Sequence, residues 1–156
     1  MSPRTPVDYL LKGVVITMDD SNRIIREGCV AVDKGRILAV GNKPDIEEKY
    51  LPDKTLGGPD CFVTPGFIDC HNHLAQALVR EFGMEDLPNI YRLYIPCEIA
   101  MDADAARISA NVMIAQLLRA GVTTVAETTC TAAHEDMIAD TIMQSGMRAV
   151  MARGQG

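Results

Sequence analysis

No stretch of the 156-residue sequence approaches the roughly 18 consecutive apolar residues that a membrane-spanning helix requires. A basic surplus is missing as well. Fifteen Lys and Arg stand against 21 Asp and Glu, for a net charge of −6 and an isoelectric point near 5.0. An acidic surface repels nucleic acid and anionic lipid alike, so neither is an expected partner. The opening segment, MSPRTPVDYLLKGVVITMDD, lacks a cationic start followed by a long apolar run and a small-residue cleavage site. The expectation is a cytoplasmic protein that does not touch the membrane. CxxC spacing is absent too: Cys29, Cys61, Cys70, Cys97 and Cys130 make an odd count of five. They read as buried, reduced thiols that pack as small hydrophobes, which argues against a disulfide framework. No repeat or low-complexity segment occurs.

What is present suits a soluble globular protein, with 47% apolar and 23% charged residues on a chain long enough to bury a real core. The pattern changes near Pro65, which sets expected domains at 1–64 and 65–156. In the first, Leu10 to Met18 is rich in β-branched residues, and Asp19-Asp20-Ser21-Asn22 carries turn chemistry. Cys29 to Val32 and Arg36 to Val40 flank Asp33-Lys34-Gly35, a hairpin signal. Pro44 to Leu51 reads as a short helical or irregular link, and Gly57-Gly58-Pro59-Asp60 as a turn before Cys61-Phe62-Val63. These features predict part of a small β-sandwich.

After Pro65-Gly66, strands alternate with helices. Phe67 to Cys70 is a short strand. Ala105 to Ala120 is a helix that Asp102 or Asp104 can cap, with Ala110, Ile114, Leu117 and Leu118 on one face and Gly121 closing it. Val122 to Ala126 reads as a buried strand, Thr131 as the cap of a helix running to Ser145 and ended by Gly146, and Arg148 to Ala152 as a third strand. Such alternation predicts an α/β fold with a parallel sheet. A parallel sheet is normally covered on both faces, so a third strand followed by four residues is expected to need completion by more chain or by a second polypeptide.

His71-Asn72-His73 closes the run Val63 to Cys70. Residues two apart on a strand share a face, so both imidazoles and Asp69 are predicted to point one way, with Cys70 and Asn72 opposite. Two converging imidazoles suit a divalent ion, and Asp69 could orient one of them or line the space beneath. An isolated HxH is equally well a pair of ordinary surface histidines. Its place at the C-terminal end of a strand, where TIM barrels carry their chemistry, favours the metal.

The stretch VTPGFIDCHNHLAQALVR, from Val63 to Arg80, resembles the first-strand signature PGFIDxHxH of the amidohydrolase superfamily. GVVITMDD and VAVDKGRILAVG resemble the family's small β-sandwich, LLRAGVTTVAE its second barrel strand with the preceding helix, and GMRAVMARG its third. HLAQALVR and LLRAGVTTVAE are most similar to the branch acting on N-heterocycles, the thioether nucleoside deaminases and triazine hydrolases. The resemblance implies the first three strands of a (β/α)8 TIM-like barrel. It implies one divalent ion, zinc with iron as the alternative, held by His71 and His73 together with ligands on later strands. It also implies hydrolytic deamination, or dechlorination, of an N-heterocycle by a metal-activated water. The remaining ligands and the acid/base residues belong to later strands, so no catalytic residue is assigned here. The isolated chain is expected to be inactive, since catalytic zinc normally keeps three protein ligands.

Gln76, three residues after His73, reads either as a donor to a substrate ring nitrogen or as a solvated residue of a short helix. Arg153, after the third strand, reads as a binder of a substrate carboxylate or heterocycle, or as an ordinary ion pair. Glu127 faces the same rim, with an indirect contact the safer reading. His134 reads as a surface histidine within a helix, and Phe82 to Pro96 as an apolar lid or plain helix packing. The partners expected are a small N-heterocyclic substrate, a missing barrel half in cis or as a second chain, and other copies in a homo-oligomer when complete. The alternatives are a subunit of a split hydrolase and a non-catalytic truncated fragment.

Overall fold

The computed structural model describes residues 3–83, 88–129 and 133–153. The chain divides into two compact units, Met1–Pro65 and Gly66–Gly156.

The first unit is a four-stranded sheet in the order β3-β2-β1-β4, built from β1 (Thr5–Ile16), β2 (Ile24–Asp33), β3 (Arg36–Asn42) and β4 (Tyr50–Val63). Helix α1 (Lys43–Lys49) links β3 to β4. The hairpin between β2 and β3 turns on Lys34 and Gly35, both at positive φ (49° and 72°), as a turn matched to strand twist requires. The Lys34 amide donates to Asp8 Oδ2 at 2.7 Å, tying the turn to β1. Along β2, apolar residues occupy both faces. Cys29 and Ala31 join Val7, Leu10 and Ile46 in a core beneath α1. Val30 and Val32, with Leu11, Ile37 and Val40, line a groove of about 270 Å³.

The predicted turn at Gly57 to Asp60 is instead part of β4, which runs parallel to β1. Pairing passes from Lys12↔Gly57 to Val14↔Phe62, so β4 takes five steps while β1 takes two. The glycines make this bulge feasible. Gly57 sits at φ +85°, and a Cβ there would meet the Lys12 carbonyl oxygen at 2.1 Å. Turn-forming residues thus serve an irregular strand.

The second unit holds three parallel strands in the order β5-β6-β7: β5 (Phe67–Asn72), β6 (Val122–Thr128) and β7 (Arg148–Ala152). A 3₁₀ turn (Leu74–Gln76) follows β5 directly. A second 3₁₀ turn (Arg80–Gly83), a π-helical turn (Ile90–Tyr94) and α2 (Ile95–Ala100) come before α3 (Ala103–Arg119). Phe82, Ile90 and Tyr91 in this stretch are exposed.

Asp102 caps α3 by accepting from the Ala105 amide at 2.7 Å. Ala106, Ser109, Ala110 and Ile114 form its buried stripe. Leu118 does not share it, being 45% exposed. At 3.6 residues per turn it lies about 80° round the helix from Ala110. Helix α4 (Glu135–Ser145) begins later than expected, with His134 at its cap position, and Gly146 closes it at φ 75°. Thr131 lies outside the described residues. Leu74, Ala110, Ile114, Val125, Ile138 and Ile142 form one core, so the residue immediately after the HxH is anchored in the centre of this unit.

The described cysteines are all free thiols, of which Cys29 is buried, Cys97 half-buried, and Cys61 and Cys70 exposed. The expectation of buried thiols therefore fails at Cys61 and Cys70. Both lie on strands at the ends of their sheets, β4 and β5, which have a neighbouring strand on one side only.

Gly57→Ala is expected to destabilise the chain by at least about 2 kcal/mol, combining left-handed strain with a backbone clash. Urea unfolding followed by circular dichroism measures it. A change within about 0.5 kcal/mol would contradict the bulge geometry.

Candidate active site

The two histidines converge. His71 Nε2 lies 3.1 Å from His73 Nε2, with the ring planes at 83°. His73 Nδ1 lies 2.6 Å from the backbone oxygen of Thr128. A carbonyl only accepts, so Nδ1 carries the proton, and in neutral His73 the lone pair is on Nε2, facing His71. Fixing one ring nitrogen on a carbonyl so that the other is a ligand is the usual arrangement of a metal-binding imidazole.

Nitrogens that share one ion at about 2.0–2.1 Å are at most about 4.2 Å apart. The observed 3.1 Å meets that limit, and the donor set suits zinc or iron. Among the described residues, no group of three or more His, Cys, Asp or Glu is placed to hold a metal. The chain thus offers a pair of nitrogens as a partial donor set.

The expected alternation breaks at the end of β5. Pairing with β6 slips between Asp69 and Asn72, and the strand ends at Asn72. Asp69 turns back on its own chain, accepting from the His71 amide at 3.2 Å and from the Asn72 side chain at 2.8 Å. Asn72 is therefore not opposed to Asp69. The aspartate shapes the strand end through the backbone of His71.

Behind the histidines lies a buried polar layer. Glu127, 1% exposed, accepts from the Leu74 amide with both carboxylate oxygens at 3.1 and 3.0 Å. Burial pushes its pKa up from 4.5 to about 7, opposed by the Leu74 hydrogen bond and assisted by the nearby charges of Glu98 and Asp69. Ser109, fully buried on α3, donates to the carbonyls of Leu74 and Ala75 at 3.1 and 2.8 Å and accepts from the Leu78 amide.

Gln76 is 8% exposed and donates to Glu98 Oε2 at 3.1 Å, which overturns the solvated alternative. The 3₁₀ turn tucks under α3, and that packing buries the amide. Arg153 forms an ion pair through Nε with Glu135 Oε2 at 2.9 Å, its side chain 82% exposed against 11% for the carboxylate. Glu135 Oε1 takes a hydrogen bond from Thr129 at 3.1 Å. His134 lies at the start of α4 and not within it. It is half-buried, with Nε2 2.9 Å from the Met101 carbonyl oxygen.

Sequence reasoning did not single out Thr128, Ser109, Glu98 or Glu135. One signal was available: a serine within the buried stripe of α3.

A parallel α/β unit with paired histidines at a strand end matches a known family. The model of the amidohydrolase family matches residues 62–154, and the chain belongs to that family. Among curated relatives, a 5-methylthioadenosine/S-adenosylhomocysteine deaminase of Caldicellulosiruptor saccharolyticus is 28% identical over 95% of this chain and 34% of its own length. Among solved structures, a zinc-bound adenosine deaminase from Xanthomonas campestris is 29% identical, with a TM-score of 0.83 over 95% of this chain and 34% of that one. A guanine deaminase from Bradyrhizobium japonicum, 22% identical, shares the fold with a TM-score of 0.72 over 93% of this chain and 34% of its own. The chain therefore spans about a third of the length of the proteins it matches.

The raised pKa of Glu127 has a consequence for stability. The folded chain keeps a proton up to about pH 7 that the unfolded chain releases near 4.5. The associated stability is complete below 4.5 and is lost as pH rises through 7, a change of about 3 kcal/mol at most. The Tm of the metal-free chain is expected to fall between about pH 5 and 8, and Glu127→Gln should flatten that slope. Parallel melting profiles for the two proteins would refute it.

Proposed function

We propose that this chain carries the metal-holding strand of a hydrolase that deaminates an N-heterocycle, with His71 and His73 as two ligands of one divalent ion, zinc foremost. The observation that carries the reading is the 3.1 Å approach of the two Nε2 atoms, with His73 Nδ1 already engaged by Thr128. Family membership supports it, as do relatives named for deamination of adenine nucleosides, one of them with bound zinc. When bound, the ion supplies Lewis acidity and makes water a nucleophile at neutral pH.

The chain's own residues hold and orient. Gln76, braced by Glu98, is the candidate donor to a substrate ring. Arg153, steered through Nε by Glu135, presents the rest of an exposed guanidinium to an anionic or heterocyclic group. The three parallel strands are read as the start of a (β/α)8 barrel, and the four-stranded sheet, with α1 on one face and an apolar groove on the other, as half of a β-sandwich. Activity belongs to a barrel with further ligands, whether continuous with this chain or on a second polypeptide.

Zinc titration against a chromophoric chelator tests the first point. Wild type should bind at least about tenfold more tightly than His71→Ala or His73→Ala, since each removes one of two nitrogen donors. Ammonia release from 5-methylthioadenosine tests the second. It should be undetectable for the chain alone, present once the remaining barrel strands are supplied, and abolished there by His71→Ala. Unchanged zinc affinity in both variants would sink the assignment.

A further inference from the structure

Glu127 has a second role that rests on the reading of His73 as a ligand. We propose that Glu127 is a positioning residue for the histidine pair, holding the Leu74 amide and through it the backbone of His73.

The argument starts from an accounting of donors. Leu74 opens a 3₁₀ turn, and the first amides of a helical turn have no partner within it. The residue is fully buried, so water does not serve its N–H. An unmet buried amide costs about 1–3 kcal/mol. Glu127 meets it with both oxygens, from a side chain that is itself almost completely buried.

That hydrogen bond also sets an angle. The Leu74 N–H lies in the peptide plane that begins at His73, so fixing its direction fixes ψ of His73, which stands at 84° outside the regular strand and helix values. The His73 ring is held independently by the next residue of β6, through Nδ1 and the Thr128 carbonyl. Glu127 and Thr128 thus hold two successive points of the chain: the backbone just after His73, and its ring. With both in place the imidazole has one orientation, and its Nε2 faces His71. Ser109 closes the same turn from α3 by bonding the Leu74 and Ala75 carbonyls.

The role needs an acceptor, not a charge. Gln at position 127 keeps a carbonyl oxygen for the Leu74 amide, whereas Met fills similar volume and accepts nothing of comparable strength. The test combines Glu127→Met and Glu127→Gln in the full chain. Long-range proton–nitrogen spectra of the imidazole rings report the His73 tautomer without metal, and zinc titration reports affinity.

Glu127→Met should lose the single Nδ1–H tautomer of His73 and bind zinc about 10–100-fold more weakly, with both restored in Glu127→Gln. A purely structural role would lower the Tm of Glu127→Met while leaving its folded molecules with the wild-type tautomer and affinity, and that result overturns the proposal. If Glu127→Met does not fold, hydrogen exchange of the wild-type Leu74 amide decides. Slow exchange, with the tautomer kept in Glu127→Gln, supports the role; exchange at the rate of a free amide refutes it. The tautomer and exchange readouts need no metal. If His73→Ala bound zinc as well as wild type, the functional reading would fail while these readouts still reported on the anchor.

Discussion

The second unit depends on the seam between the ends of β5 and β6. Parallel pairing brings the C-terminal ends of both strands to the same edge, so β6 finishes where β5 releases its histidines. Asn72 lies opposite Glu127, and the residues on either side carry the bonds that matter: His73 to the Thr128 carbonyl, Leu74 to the Glu127 carboxylate. An antiparallel neighbour would have put the other end of its strand there. The histidine pair is therefore a product of topology as much as of the HxH spacing.

Much of this was legible in the chain. Strand and helix order after Pro65 followed from apolar runs punctuated by Gly121 and Gly146, because an apolar strand and a glycine-closed helix each leave a strong local mark. The HxH spacing drew attention to His71 and His73, although they converge where the strand has already ended, with His73 one residue past Asn72. What failed did so where tertiary constraints replaced local ones. Gly57 to Asp60 carries every sign of a turn, yet pairing with β1 draws it into a bulged strand. Asp69 was expected to follow the same period as the histidines, but the pairing with β6 slips after it and its carboxylate turns back on the local backbone. The burial of Gln76 was hidden because nothing nearby in sequence announces that α3 and Glu98 will enclose it.

The site is layered by polarity. A half-buried imidazole and an exposed guanidinium stand at the rim, and each is tied to something less accessible: His73 to a strand carbonyl, Arg153 to the shielded carboxylate of Glu135. Beneath them Glu127, Glu98, Gln76 and Ser109 are buried, and each makes a hydrogen bond. Buried polar groups with satisfied partners restrict the arrangements a core can adopt. Here they surround Leu74, where the chain passes from strand to turn.

The short distance between the two rings also has a chemical meaning of its own. With His73 Nδ1–H given to Thr128, the neutral pair closes on itself by a single hydrogen, carried on His71 Nε2 and shared with the lone pair of its neighbour. That hydrogen occupies the place where a cation would sit. Turning both Nε2 lone pairs to one ion, as the proposed function requires, would therefore move that hydrogen to His71 Nδ1, a change of tautomer and not the loss of a proton.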